Sequence, residues 1–270
     1  MEHGNVALPT PYPELNTVLQ ELVSSIQTVL KDNFVGFYLQ GSFAVGDFDV
    51  NSDCDFIVVT GQELSDQEVD ALQVVHERVY SLDFHWAKHL EGSYFPKNVL
   101  RDTQYSGSDL WYLNHGSRAL VRDAHCNTVL VRWVVRAYGV ALAGPPPETL
   151  VDPIAVETLR SQIRSVMNNR GADLMAHPEP YNNRFYQAFI VHNYCRMLHD
   201  LIRGYPGSKR AATDWAKANL DPKWIGLIDR TWAGRTDAAI SVRQPADPDD
   251  FKATLEFVDY IIDLAKDKEF

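Results

Sequence analysis

Residues 38 to 59 read YLQGSFAVGDFDVNSDCDFIVV, and this stretch constrains the fold more than any other in the chain. An apolar run stops at Gly41-Ser42, a mostly polar segment follows, and a second apolar, β-branched run opens on two carboxylates one residue apart, Asp53 and Asp55. The pattern predicts a strand, a glycine-serine turn, a loop and a second strand. Strand side chains at i and i+2 leave on the same face, so Asp53 and Asp55 are expected to project together while Cys54 points the other way. Adjacent carboxylates on a rigid strand repel one another, and a cation relieves that repulsion. Hard oxygen donors suit Mg²⁺, which is usually held by one or two carboxylates together with substrate phosphates. Gly41 lets the backbone approach a ligand closely, and the Ser42 hydroxyl with neighbouring N–H groups can bond phosphate oxygens. Ser52, which leads into the second strand, joins Gly41 and Ser42 among the candidate nucleotide-binding residues. The residues thus point to a nucleoside-triphosphate site without a Walker sequence. Asp47 and Asp49 fall in the intervening loop and are expected to be solvated acids.

Gly-Ser joined to Asp-x-Asp at this spacing resembles the signature of the polymerase-β-type nucleotidyltransferase superfamily. Within it, the string GSFAVGDFDVNSDCDFIVV is similar to the aminoglycoside (streptomycin/spectinomycin) adenylyltransferase family. The resemblance covers nearly the whole chain, most specifically at 41–59, 89–95, 114–145 and 193–216. It implies a third carboxylate on a neighbouring strand, as metal ligand beside Asp53 and Asp55 or as general base. The segment HLEGSYF, residues 89 to 95, is similar to the strand that bears it, which favours Glu91 over its competitor Asp83; Glu91 would share a face with His89 and Ser93. The resemblance also implies an Arg and a Lys that meet the nucleotide phosphates, matched by Arg196 in NYCRML and Lys209 in GSKRAATDWA. Both residues invite this on their own terms. An Arg in an apolar helix needs a partner, either a phosphate or a structural carboxylate, and a Lys at a helix start is unfavourable without a nearby anion.

The activity so implied is Mg²⁺-dependent transfer of AMP from ATP to a hydroxyl of a small, cationic acceptor such as streptomycin or spectinomycin, with pyrophosphate released. Around 111–117 (WYLNHGS) and 179–186 (EPYNNRFY) the chain departs from the family's drug-recognition arrangement of tryptophan and acid. That leaves open another small acceptor, or a macromolecule such as a tRNA end or a protein, as in toxin-like relatives.

The rest of the chain suits this reading. A length of 270 residues allows two modest domains. Residues 14–31 carry apolar positions at helical spacing, Ser65 and Glu68 have the form of a capping box, and 89–95 reads as a strand. Residues 110–114 read as a strand and 115–118 as a turn that ends the small domain, with His115 either facing the cleft or, as an isolated turn histidine usually is, just exposed. A helix over 127–138 is followed by a hinge-like segment, 138–145, and by Pro145-Pro146-Pro147, which no helix or central strand tolerates. The expected architecture is α+β: a nucleotidyltransferase α/β domain with a mixed sheet over 1–150, then an all-α helical bundle over 151–270. Its helices are expected at 155–175, 183–203, 208–219, 222–233 and 249–267. The formal charge of −11 speaks against a long nucleic-acid footprint and suits a cationic acceptor. No apolar run is long enough to span a membrane, the Met1 region lacks a signal-peptide pattern, and three scattered cysteines make no disulfide framework. A cytoplasmic monomer or weak dimer is the expectation.

Overall fold

The computed structural model describes residues 8–50, 52–235 and 238–266. They fall into two compact units, the first running to Ile154 and the second from Ala155, with Asp49 and Val50 grouped with the second.

The first unit is built on a six-stranded mixed sheet of order β5-β4-β3-β2-β1-β6. Helix α1 (Pro13–Leu30) leads into β1 (Phe34–Leu39). The apolar positions Leu15, Val18, Leu19, Leu22, Ile26 and Leu30 fall on its buried face, as the helical spacing predicts. β2 (Cys54–Thr60) pairs antiparallel with β1, and α3 (Asp66–Tyr80) crosses over to β3 (Leu90–Pro96), which lies parallel to β2. The capping box forms: Ser65 Oγ accepts from the Glu68 N–H at 3.3 Å, while Glu68 Oε2 accepts from the Ser65 N–H at 2.8 Å. β4 (Leu110–Leu113) follows the short helix α4 (Lys97–Arg101) and pairs antiparallel with β3.

Three features depart from the sequence expectations. Gly41-Ser42 opens a five-residue helix, α2 (Gly41–Val45), in place of a simple turn. The segment 115–118 does not end the domain, because β5 (Leu120–Asp123) pairs antiparallel with β4. The hinge-like segment after α5 (Val129–Tyr138) is a sixth strand, β6 (Val140–Ala143), antiparallel to β1.

Alternation along the strands sorts the side chains into two layers. Phe37, Leu39, Cys54, Phe56, Val58, Leu90 and Tyr94 pack with α1 and α3. Tyr38, Ile57, Val59 and Phe95 face the other way, with Leu100, Val135 and Leu150. Arg132 of α5 is fully buried near this second layer. Its Nη2 donates to the Val99 carbonyl at 2.7 Å, Nη1 donates to Thr128 O at 3.1 Å, and the guanidinium lies 5.6 Å from the Phe95 ring centre. Burial pulls its pKa down to about 10. Arg132→Ala leaves a cavity and an unpaired carbonyl, and should cost about 2–5 kcal/mol in urea unfolding. Arg132→Met, which fills the space without a charge, should cost clearly less; equal losses would show that the packing is not what matters.

The second unit is helical: α6 (Val156–Ala176), α7 (Arg184–Arg203), α8 (Lys209–Asn219), α9 (Ile225–Ala233), α10 (Ala238–Ser241) and α11 (Pro248–Lys266). The expected last residue of the final helix, Asp267, lies outside the described residues, as does the Met1 region. α7 is the most buried helix and packs against α6, α8, α9 and α11. Ser208 caps α8, accepting from the Ala211 N–H at 3.0 Å, and Pro222 starts a 3₁₀ turn that runs into α9. Among the described residues no helix is long and apolar enough to cross a membrane.

Candidate active site

Strand register gathers the candidate residues at one end of the sheet. β2 and β3 run parallel with Asp55 opposite Glu91, so the two carboxylates leave neighbouring strands on the same face. Further along that face come Ile57 and Val59 of β2 and Phe95 of β3, all fully buried, and Cys54 points into the opposite core as expected. β1 runs antiparallel to β2, which brings its C-terminal end, and so Gly41, back to the start of β2. The Gln40 N–H donates to the Asp55 carbonyl at 2.9 Å. At Gly41 φ is +61°, and a β-carbon there would sit 2.0 Å from Asp55 Oδ2. Only a residue without a side chain lets the backbone lie against this carboxylate. Next to it, Ser42 Oγ is buried and has no hydrogen-bond partner among the described residues.

Glu91 is held from two sides. The Tyr112 hydroxyl donates to Glu91 Oε1 at 2.7 Å, and His125 Nε2 lies 3.3 Å from the same oxygen. Burial, and then the Glu91 charge, raise the Tyr112 pKa, so the phenol stays a proton donor. The Glu91 side chain is 12 % exposed. The competing carboxylate, Asp83, is exposed in a turn before β3.

Asp53 lies just ahead of β2 and is drawn to two histidines. His115 Nε2 is 3.2 Å from Asp53 Oδ1 and 2.9 Å from His89 Nδ1. The ligand atoms of Asp53, His89 and His115 all lie within 4.8 Å of one another, and among the described residues no other trio of His, Cys, Asp or Glu converges so closely. Asp53, Asp55 and Glu91 do not meet at this range, although Asp55 and Glu91 are neighbours in register. His115 is therefore not a bare exposed turn residue, and Tyr112 did not stand out by sequence pattern. Ser52 lies outside regular structure, partly buried. Asp49, expected to be solvated, instead pairs with Arg235 at 3.0 Å.

The two candidate phosphate cations lie in the second unit. Arg196 Nη2 donates to Asn193 Oδ1 at 3.0 Å, and its charge acts on the buried Asp200. Burial raises the Asp200 pKa, against the opposing pull of His199 and Arg196. Lys209 is the first residue of α8, with its ammonium 6.0 Å from the Phe189 ring. Burial holds His192 neutral, its pKa pulled down to about 3 with help from the Lys209 and Arg235 charges. Arg235 and Arg210 lie 4.8 and 5.3 Å from the Trp232 ring.

The residues present fit a divalent cation with a polyphosphate in the first unit. Two register-paired carboxylates supply hard oxygen, Gly41 leaves the backbone bare beside one of them, and the Ser42 hydroxyl lacks a partner among the described residues.

No protein-family model and no curated protein matches the chain. Among solved structures it is similar to a spectinomycin adenyltransferase from Enterococcus faecialis, crystallised with ATP and spectinomycin. The TM-score is 0.65 at 14 % identity, covering 92 % of this chain and 98 % of that one. The chain thus shares its fold with that enzyme over nearly the full length of both chains.

Proposed function

We propose that this chain, with an adenyltransferase fold, is a Mg²⁺-dependent O-nucleotidyltransferase that moves AMP from ATP to a hydroxyl of a small cationic acceptor of the aminoglycoside class. One observation carries the reading: Glu91 stands opposite Asp55 in the β2–β3 register, beside the bare backbone of Gly41 and the unpartnered Ser42 hydroxyl. A fold likeness to an enzyme crystallised with ATP and spectinomycin supports the substrate class.

Asp55, with Asp53 two residues before it, would hold Mg²⁺, which when bound would offset triphosphate charge. Ser42 would donate to a phosphate oxygen, and Gly41 would keep that approach open. By the resemblance at 193–216, Arg196 and Lys209 would be the cations that oppose the remaining phosphate charge. Glu91 takes the proton of the acceptor hydroxyl. The freed oxygen attacks the α-phosphorus in line, the bond to the bridging oxygen breaks, and pyrophosphate leaves. Tyr112 positions Glu91 through the hydrogen bond to Oε1, leaving Oε2 for the acceptor. A net charge of −11 favours a cationic small molecule over a nucleic acid. A cytoplasmic setting and a monomer or weak dimer belong to the same proposal.

The test is pyrophosphate release from ATP and Mg²⁺ across aminoglycosides, spectinomycin and lincosamides, with Asp55→Ala as control. Release with streptomycin or spectinomycin, lost in the variant, is the expected result. Silence across the panel with Mg²⁺-dependent ATP binding intact would remove the antibiotic class and keep the nucleotide half.

A further inference from the structure

We propose that Asp53, His89 and His115 form a binding site for a borderline first-row divalent cation, with Zn²⁺ as its preferred occupant. The three residues come from separate parts of the first unit: the lead into β2, the residue before β3 and the turn after β4. Each part is fixed by the fold. The Cys54 N–H donates to the His89 carbonyl at 2.8 Å, the His85 ring stands 4.1 Å from the His89 ring, and the His115 turn is closed by Ser117 N–H donating to Asn114 O at 2.9 Å.

Proton counting at His115 Nε2 points to a cation. That nitrogen faces His89 Nδ1 at 2.9 Å and Asp53 Oδ1 at 3.2 Å. If it carries a proton, the one N–H must serve both acceptors. If it does not, His89 can donate to it, but its lone pair then faces the Asp53 carboxylate. No tautomer gives both contacts a full hydrogen bond. A metal ion satisfies all three atoms at once. Ligands bound tetrahedrally to zinc at ordinary bond lengths stand about 3.3 Å apart, close to the 2.9 and 3.2 Å from His115 Nε2 to the other two ligand atoms.

The donor set also decides which cation. Imidazole nitrogen favours Zn²⁺ and its neighbours, whereas Mg²⁺ prefers oxygen alone. Two imidazoles and one carboxylate leave positions open for water or a ligand oxygen, as in sites that are not purely structural. Asp53 has a second carboxylate oxygen, so this site uses only part of its donor capacity.

The experiment is a Co²⁺ titration of the untagged full chain without ATP or acceptor, followed by visible d–d absorption, then displacement with Zn²⁺ or Mg²⁺. Saturable absorption at one equivalent, displaced by stoichiometric Zn²⁺ and resistant to millimolar Mg²⁺, is expected. His115→Ala and His89→Gln should each weaken Co²⁺ binding at least about tenfold with circular dichroism unchanged, while Asp55→Asn should leave the spectrum in place. Absence of d–d absorption in the unaltered protein overturns the proposal, even if a variant fails to fold. So does a spectrum that survives both histidine substitutions, or displacement by Mg²⁺ as readily as by Zn²⁺. Because no nucleotide is present, the outcome is separate from that of the transfer assay.

Discussion

Glu91→Gln is expected to bind ATP with Mg²⁺ as the unaltered protein does and to lose transfer by a factor of about 10²–10⁴, the range of a positioned general base. The substitution keeps the side chain's size and its ability to accept from Tyr112, but removes the basic carboxylate. Glu91 is only 12 % exposed and lies opposite Asp55, so a water-borne base has little room to replace it. Calorimetry with ATP and single-turnover pyrophosphate release separate the two effects. Turnover unchanged from the unaltered protein would eliminate Glu91 as the base and return attention to the other acids.

The second large effect is expected at Gly41. In Gly41→Ala the new β-carbon would fall 2.0 Å from Asp55 Oδ2, so the carboxylate must swing away. A displacement of about 1 Å at a reacting centre can cost about 100-fold in rate. The positive φ of 61° adds strain of about 1 kcal/mol for any residue with a β-carbon. The expected signature is weakened Mg²⁺-dependent ATP binding and lost transfer, with only a modest fall in thermal stability. Normal binding and rate would show that the Asp55 carboxylate does not need its present position.

These two residues also mark how far the sequence could be read. Gly41, Asp55 and Glu91 were visible as types in a pattern, and α1 and the Ser65 cap were visible through spacing alone. The parallel pairing that sets Glu91 beside Asp55 was not, because register is a property of two strands rather than of either. β5 and β6 are four residues each at the two sheet edges and largely solvent-facing or half-covered, so too few alternations exist to announce them. The five-residue α2 is too short to show a period. His115 looked like an ordinary turn residue because its neighbours Asp53 and His89 are distant along the chain and meet it only after folding. Tyr112 gave no signal for a similar reason: in the sequence it is one more aromatic residue of a strand, and only pairing brings its hydroxyl to Glu91.

The strand β6 has a consequence for how the protein is made. β1 is synthesised early, yet its outer edge is covered by β6, and the Tyr38 hydroxyl is tied to the Pro145 carbonyl at 2.7 Å, 107 positions later. On the ribosome β1 therefore waits with one row of backbone donors and acceptors unpaired while some hundred residues are added. An open edge of this kind recruits other strands, from a neighbouring nascent chain above all. The final seal of the sheet is delivered at the moment the proline run emerges, so a chain cut before residue 140 still carries every catalytic candidate of the first unit but leaves the outer edge of β1 uncovered.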